Sequence, residues 1–469
     1  MKNKRLNLFY LLLFFIPIFS AISAQESVSD RVEELLSKMT IEEKVGQMAQ
    51  ITLDAIGNGA TVFESKIPFA IDSVRLHKAI VDYHVGSVIN TTNNYALSAL
   101  QWNSIIDQIQ KTATTKTTLR IPVIYGIDAI HGVTYTSGAT LFPQQIAIAA
   151  TFNPGNAYNM AKVTAYETRA SGIAWNFSPV LDLGADPRFS RQYEGFGEDP
   201  YLASVMGRQA IRGYEGITDS IGHAEKVAAC AKHFLGYSVP FSGKDRTPAY
   251  IPDHILREYH LPSFKAAIDE GVESVMINSG IINGVSVHAN YNIITKLLKE
   301  ELGFQGVVVS DWMDIINLEK RDKIAKNNKE AIALAINAGI DMSMVPYDYE
   351  QFCKDLTALV KEGKVKESRI DDAVRRILKL KFKLGLFENP VTKLSDYPDF
   401  GSDKHEKLAY KAAADAITLL KNKNNILPLN KNIKILVTGP NANSMRSLNG
   451  GWSYSWQGEK TERYAAQYH

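Results

Sequence analysis

Cysteine is scarce in this sequence, because its 469 residues include only Cys230 and Cys353. Two cysteines are too few for a disulfide framework, and neither has neighbours at the spacing of a metal site. Cys230 lies in the apolar stretch KVAACAKHF, which is typical of a small residue in a core. A fold held together by disulfides or metal is therefore excluded, and the two thiols leave open only a single bridge between them.

An excess of charge of either sign is also missing. The 52 Lys and Arg residues nearly balance the 50 Asp and Glu residues, and the net charge is +2. No block of like charges occurs, and basic residues do not alternate with aromatic ones. Nucleic-acid-binding proteins carry such basic patches, so we expect no nucleic-acid partner. The stretch GFGEDP lacks the third glycine of a phosphate-binding loop, and no metal-ligand spacing appears, so we expect no cofactor and no metal.

Long apolar runs are absent after the first residues of the chain. Residues 1–24 begin with three basic residues, continue through an apolar run over residues 8–19 and end in small residues. This is the layout of a secretory signal peptide, and the run is short for a membrane span. The alternative is a membrane anchor. The signal-peptide interpretation predicts a periplasmic or secreted protein without a stable membrane span after cleavage.

What the sequence does contain is one recurring pattern, in which an amphipathic helix ends at a glycine and a short apolar run follows. The stretches FKAAIDEGVESVMIN, LLKEELGFQGVVVSD and EAIALAINAGIDMSM all have this form. Glycine supplies the left-handed cap of a helix, and an apolar run without alternation predicts a strand buried on both faces. Repeated helices and buried strands predict an α/β fold with a parallel sheet.

Eight such strands are predicted, which is the number in a (β/α)8, TIM-type barrel. They cover residues 86–90, 121–128, 146–150, 174–181, 227–233, 274–278, 307–311 and 340–344. An open, doubly wound sheet is the alternative. The barrel is favoured because polar residues stand at the C-terminal ends of these runs, where barrel enzymes assemble their sites. These residues are Asn90, Asp128, Lys232, His233, Asn278 and Asp311.

The pattern changes near residue 390, which suggests a division into domains. Residues 25–390 are predicted to form the barrel domain, and residues 391–425 a linker with a helix from about His405 to Lys421. The stretch NKNIKILVTGPNANS predicts a strand entering a turn, so residues 426–469 are predicted to begin a second α/β sandwich domain, incomplete in this chain. One helix and one strand cannot close a sheet, so we expect the segment from Leu408 onward to pack loosely.

Asp311 is the first candidate for chemistry. It follows the buried run GVVVS, where an ionised carboxylate is costly unless cations or hydrogen-bond donors surround it. Such an aspartate can cap the helix that follows it. It can also serve as a nucleophile or general base at the mouth of a barrel.

Lys232 and His233 form the second candidate. Adjacent residues of a strand point to opposite faces, so both reach one ligand only if the backbone departs from ideal geometry. The pair can be structural or functional, and a buried Lys232 also allows a Schiff-base aldolase. Two further stretches, GIDAIHG with His131 and the loop GADPRFSRQYEGFGEDP with Arg188, offer polar groups that can pair internally or hold a ligand.

Six stretches, in this order, resemble the family 3 glycoside hydrolases, particularly the two-domain exo-acting β-glucosidases. They are MTIEEKVGQM, GIDAIHG, DPRFSRQYEGFGEDP, KHF, VVVSDW and LVTGPNA. The resemblance extends from about Ser27 to the last residue. It implies a β-linked oligosaccharide substrate, removal of single sugars from the non-reducing end, and a retaining mechanism through a covalent glycosyl-enzyme.

The resemblance also implies roles for individual residues. Asp311, in the SDW motif, corresponds to the nucleophile. The residues that bind the cleaved sugar match Asp128, Arg191, Lys232 and His233, and Arg246 in GKDRTP looks like the arginine that supports them. Trp312 and Trp456 look like the two tryptophans that sandwich the next sugar ring.

The sequence departs from the family pattern in two places. Ser279 stands where many members have a tyrosine, so the hydrogen bond that would hold Asp311 is not expected from it. The acid/base glutamate of two-domain members lies past residue 469, so none is assigned in this chain. The loop after KHF also lacks the D-x-H triplet of the branch that acts on N-acetylglucosamine linkages. A sugar-binding remnant without turnover is therefore the alternative to a hydrolase.

Overall fold

Eight parallel strands form the centre of the structure, a computed structural model that describes residues 27–217 and 220–463. The strands, numbered along the chain, are β1 (Ala49–Thr52), β2 (Ser87–Ile89), β3 (Ile124–Ile127), β4 (Trp175–Asn176), β5 (Ala228–Phe234), β6 (Ser274–Ile277), β7 (Val307–Val309) and β8 (Ser343–Met344). Neighbours in sequence are neighbours in the sheet from β1 to β7, and β8 pairs with β1. A parallel bridge between Val309 and Met342 links the two ends. The predicted TIM-type barrel is therefore confirmed.

Helices surround this barrel. The second of them begins at a capping box, in which the Thr40 hydroxyl accepts from the Glu43 amide and the Glu43 carboxylate accepts from the Thr40 amide. The helical segments of five or more residues in the described part of the chain are Val28–Lys38, Ile41–Gln47, Ser73–His77, Lys78–Asp82, Ala99–Lys116, Gln145–Ala150, Pro154–Ala170, Pro200–Glu215, Leu256–His260, Leu261–Asp269, Asn292–Glu301, Asp314–Lys320, Asn328–Ala338, Tyr349–Lys361, Glu367–Lys383, Asp403–Ala416 and Met445–Asn449. Two short strand pairs, Leu97–Ser98 with Thr136–Ser137 and Ile281–Ile282 with Val285–Ser286, lie outside the barrel.

Seven of the eight predicted strands overlap a strand of the barrel. The prediction for residues 146–150 is wrong, because this apolar run belongs to the helix Gln145–Ala150. A run of five apolar residues fits a buried helix or a buried strand equally well. The sequence pattern does not predict the first strand, β1, because Gln50 and Thr52 interrupt its apolar residues. Gln50 is nevertheless fully buried and donates to the Ser87 hydroxyl over 2.7 Å.

Both cysteines are buried free thiols, so the bridge between them is not formed. Burial raises the pKa of each thiol to about 12. The predicted signal peptide, residues 1–24, lies outside the described residues. Within residues 27–217 and 220–463, no helix has the length and apolar content needed to cross a membrane.

The predicted linker packs on the barrel through several hydrogen bonds, and one buried carboxylate makes two of them. Glu167 accepts from the His405 imidazole over 2.7 Å and from the Gly401 amide over 3.0 Å. The linker helix runs over Asp403–Ala416, so it ends five residues before the predicted end at Lys421. This carboxylate therefore holds the polypeptide that leaves the barrel.

Residues 417–444 have no regular strand, so the strand predicted in NKNIKILVTGPNANS is not formed. Its apolar residues Ile435, Leu436 and Val437 are 65%, 87% and 70% exposed. A strand needs a neighbouring strand to pair its backbone groups. No strand of the described residues lies beside residues 435–437.

Residues 452–461, in contrast, dock on the mouth of the barrel. The Tyr454 amide donates to the Thr134 carbonyl over 2.9 Å, and the Lys460 ammonium donates to the Asn93 carbonyl over 2.6 Å. Trp452 and Tyr454 are buried. The expectation of loose packing is therefore wrong for this part of the C-terminal segment.

This contrast predicts uneven protection of the C-terminal segment. We expect amides of residues 418–444 to exchange at nearly unstructured rates, because their backbone is exposed, and amides of Trp452 and Tyr454 to exchange slowly. Hydrogen exchange followed by mass spectrometry on the 469-residue chain measures both. Trypsin should first cut at Lys421, Lys423, Lys431 or Lys434. Uniform exchange across residues 418–463, whether fast or slow, would contradict this division.

Candidate active site

A cavity of about 340 Å³ opens where the C-terminal ends of the barrel strands meet. Loops after several different strands contribute to its wall, as expected for a barrel enzyme. The structure brings together at this cavity every residue to which the sequence assigns a role: Asp128, Arg191, Lys232, His233, Arg246, Asp311, Trp312 and Trp456.

Asp311 follows β7, and its carboxylate is held from one side only. Oδ1 accepts from the Trp312 amide over 2.6 Å. Oδ2 is buried, has no hydrogen-bond partner among the described residues, and lies 3.9 Å from Nε2 of His233. The following helix begins at Asp314, and the Asp311 side chain caps none of its amides. The helix-cap interpretation of Asp311 therefore does not hold.

The charge of Asp311 is balanced by arginines. Burial alone raises the pKa of its carboxyl, but the guanidinium groups of Arg246 and Arg191, with the Trp312 amide, outweigh burial and hold the pKa below the ordinary value of 3.8. The adjacent Asp314 has its pKa raised, first by burial and also by the charge of Asp311. Cations thus surround Asp311, as expected from its burial.

Arg191 is fixed by an ion pair within its own loop. Its guanidinium donates two hydrogen bonds of 2.8 Å to the carboxylate of Glu194. Nη2, one of these two donors, also lies 3.2 Å from Nε2 of His233. Contacts with Glu194 and His233 therefore both fix the position of the guanidinium.

Arg246 is held less tightly. Its Nε donates to the Ser279 hydroxyl over 3.0 Å, and the nearest carboxylate contact, with Asp245, is 3.8 Å long. The Ser279 hydroxyl in turn donates to Asp314. Ser279 therefore supports Arg246 and Asp314, and Asp311 receives no hydrogen bond from it, as expected.

Lys232 lies at the centre of the buried wall. Its ammonium contacts Asp128 over 2.6 Å and lies 5.2 Å from the centre of the Trp452 ring. The pairing of β5 with β6 is irregular between Ala231 and Phe234. The backbone therefore departs from ideal strand geometry where both side chains reach the cavity. Because Nζ is occupied by Asp128, the contacts do not favour the Schiff-base alternative.

His233 is oriented by a residue that the sequence interpretation missed. Asp182 accepts from Nδ1 of His233 over 2.7 Å and from its backbone amide over 3.1 Å. Burial raises the pKa of Asp182 to about 8. Burial, with the charges of Arg191, Lys232 and Arg246, lowers the pKa of His233 well below its ordinary value. The imidazole is therefore neutral, and its Nε2 is the acceptor because the Arg191 guanidinium beside it can only donate.

Aromatic rings form the outer wall of the cavity. Trp456 is 46% exposed, and its amide donates to Asn94 over 2.7 Å. Trp312 is partly buried, and its ring centre lies 6.0 Å from that of Tyr347. Trp452, to which the sequence motif assigns no role, is buried and backs Lys232. The rings offer apolar faces of the kind that stack on sugars.

Three other candidate residues lie outside the cavity lining. The Asn278 amide donates to the Leu235 carbonyl over 2.7 Å. His131 contacts the Phe142 carbonyl over 2.6 Å. Arg188 pairs with Asp186 over 2.8 Å at the surface. Each of these side chains is paired with another group of the protein, which is the structural interpretation of the stretches that contain them.

Comparison with known proteins adds a family to this geometry. Residues 40–380 match the glycosyl hydrolase family 3 N terminal domain, and residues 417–468 match the glycosyl hydrolase family 3 C-terminal domain. The lysosomal beta glucosidase of Dictyostelium discoideum is 44% identical over 448 residues, which are 91% of this chain and 53% of that protein. The periplasmic beta-glucosidase of Salmonella typhimurium is 32% identical over 428 residues, which are 90% of this chain and 52% of that protein.

The solved structures agree with the sequence matches. The crystal structure of an exo-1,3/1,4-beta-glucanase from a Pseudoalteromonas species superimposes with a TM-score of 0.80 at 34% identity, and the match covers 92% of this chain and 53% of that one. The chain thus spans about half the length of each of these three proteins. The family model covers most of the chain and the fold agrees over nearly all of it, so this chain belongs to glycosyl hydrolase family 3.

Proposed function

We propose that this chain is the part of an exo-acting, retaining β-glucosidase that binds the sugar and carries the nucleophile. The substrate would be a β-linked oligosaccharide, from which single sugars are released at the non-reducing end. The observation that carries this proposal is the Oδ2 atom of Asp311, a buried carboxylate oxygen without a partner among the described residues, facing a cavity lined by cations and tryptophans.

The first step of the reaction would form a bond between Oδ2 of Asp311 and the anomeric carbon, while the bond to the leaving oxygen breaks. Arg246 and Arg191 would keep Asp311 ionised until the attack. A water molecule would then attack the same carbon and lose a proton to solvent, while the bond to Oδ2 breaks, which releases the sugar with its original configuration and restores the carboxylate.

The cleaved sugar would be held by polar groups that are already fixed. Asp128 and Lys232 form one buried pair, and Arg191 and His233 form another contact beside it. Charged groups in a partly dry cavity bind hydroxyls without reorganising, which favours the transition state. Trp312 and Trp456 would hold the next ring of the oligosaccharide.

Protonation of the leaving oxygen needs a second carboxyl group, and the described part of the cavity lining offers no free one. Besides Asp311, the lining contains two acidic residues, and both already have partners. Asp128 contacts Lys232, and Asp54 accepts from the hydroxyls of Ser65 and Thr92 over 2.6 and 2.5 Å. We therefore assign only the attack on the sugar to the described residues, and a poor leaving group would need an acid from elsewhere.

Covalent labelling tests the nucleophile. A 2-fluoroglucosyl fluoride carries a leaving group that needs no proton, so we expect it to glycosylate the chain at Asp311. The variant Asp311→Asn should show no mass increase, because an amide oxygen is a poor nucleophile. The matched control is Asp269→Asn, an exposed aspartate whose partner in the described part of the chain is Lys265, and it should label normally. Undiminished labelling of Asp311→Asn would overturn the assignment.

Leaving-group dependence separates this proposal from a sugar-binding remnant without turnover. A dinitrophenyl β-glucoside should release its phenol and glycosylate the protein, whereas cellobiose should be cleaved by this chain much more slowly. A chain that binds glucose but reacts with neither the fluoride nor the dinitrophenyl glucoside would be a binding remnant.

The pH dependence of labelling tests the electrostatics. Because the pKa of Asp311 lies below 3.8, the labelling rate should stay constant as pH falls and decrease only below that value. Arg246→Met removes the largest opposing charge, so burial should then raise the pKa and move the acid limb upward by about one pH unit or more. Arg188→Met, at the surface, is the control. Identical acid limbs in all three proteins would contradict the role of Arg246.

We also propose that the protein is exported. Support comes from the layout of residues 1–24 and from the Salmonella typhimurium relative, which is named a periplasmic beta-glucosidase. Expression in a Gram-negative host should give a mature chain that begins near Gln25, as read by mass spectrometry of the intact protein. A chain that retains residues 1–24 in the membrane fraction would instead indicate an anchor.

A further inference from the structure

A second cavity, of about 210 Å³, adjoins the first. Met344 and Tyr347 line both of them, so the two cavities share a wall. Most of the residues around the second cavity are apolar or aromatic, and the polar ones are Asn328, Ser343 and Asp348. The first cavity, in contrast, is lined by the charged residues described above.

One backbone turn divides the two cavities. Trp312 lines the first cavity and the adjacent Met313 lines the second. Met313 adopts φ of 60°, a left-handed conformation that is uncommon for a residue with a side chain. The helix that begins at Asp314 then places Ile315 and Ile316 on the second cavity. The segment that carries Asp311 thus also builds its apolar neighbour.

Aromatic rings connect the two cavities. The Tyr347 ring centre lies 6.0 Å from that of Trp312 and 4.7 Å from that of Phe63. Phe63 lines only the second cavity and is 66% exposed. A large apolar ring exposed beside an apolar cavity is costly in water and gains from contact with a ligand.

We propose, on the basis of the proposed function, that the second cavity binds the apolar aglycone of a β-glucoside, an alkyl or aryl group attached beyond the cleaved bond. The lining offers few partners for the hydroxyls of a further sugar, which favours an apolar group there. Its size is sufficient, because an apolar cavity of about 150 Å³ can hold a benzene ring. The shared wall at Met344 and Tyr347 places this apolar space directly beside the sugar site.

Thioglucosides test this proposal, because their sulfur linkage resists cleavage. Isothermal titration of the 469-residue chain should give a hexyl β-thioglucoside a Kd at least tenfold lower than that of methyl β-thioglucoside. Each methylene removed from water contributes roughly fourfold, and an open cavity captures part of this gain. Equal Kd values for the two ligands would overturn the aglycone site while leaving the sugar site intact.

Variants locate the effect. Phe63→Ser should reduce the advantage of the hexyl ligand to about threefold or less while the Kd of the methyl ligand stays unchanged. Ile316→Thr, at another residue of the lining, should act in the same direction. Phe152→Ser is the matched control, because Phe152 is 76% exposed and lines neither cavity. An undiminished hexyl advantage in both cavity variants would overturn the location.

The two proposals fail in different ways. If methyl β-thioglucoside does not bind, the sugar site itself is wrong, and the aglycone site falls with it. If the methyl ligand binds and the hexyl chain adds nothing, only the aglycone site is wrong.

Discussion

The site depends on the buried carboxylate of Asp311. Cations balance its charge, and one of its two oxygens has no hydrogen-bond partner among the described residues. An ion inside a protein is costly unless its surroundings are fixed in advance. Lys232 and Arg191 each have a permanent partner, in Asp128 and Glu194. Arg246 has no carboxylate among the described residues closer than 3.8 Å, so it is the cation left over to balance Asp311. A change that displaces the Arg246 guanidinium therefore acts directly on the ionisation of Asp311.

Much of the candidate site could be predicted, because parallel strands collect their C-terminal ends at one place. Polar residues after continuous apolar runs led to Asp128, Lys232 and Asp311, and the resemblance to a family added the loop arginines and tryptophans. Asp182 was missed although it directly follows the predicted strand over residues 174–181. Its role became visible only when the fold placed it against His233, a residue 51 positions away.

The fold could be predicted where local pattern and tertiary environment agree. In β1, Gln50 is polar yet buried, and Ser87 on the neighbouring strand accepts a hydrogen bond from its amide nitrogen. In residues 435–437 the local pattern predicts a strand, but these residues are exposed because no neighbouring strand in the described structure completes a sheet. Residues 452–461 have a weaker pattern and are ordered, because the barrel supplies their hydrogen-bond partners. In these three segments the hydrogen-bond partners supplied by neighbouring elements decide the structure, and a single sequence does not reveal those partners.

The turn at Met313 separates the residues that attack the sugar from the residues that line the second cavity. Asp311 and Trp312 must hold their positions relative to the arginines, since a small displacement of the carboxylate weakens both its ionisation and its attack. Met313 and Ile316, which come next in the chain, line an apolar space instead of the charged cavity. Substitutions there, or at Phe63, can change which group is accepted beyond the cleaved bond without altering the electrostatics of Asp311. The preference for a leaving group is therefore physically independent of the machinery that attacks the sugar, although the two adjoin in sequence.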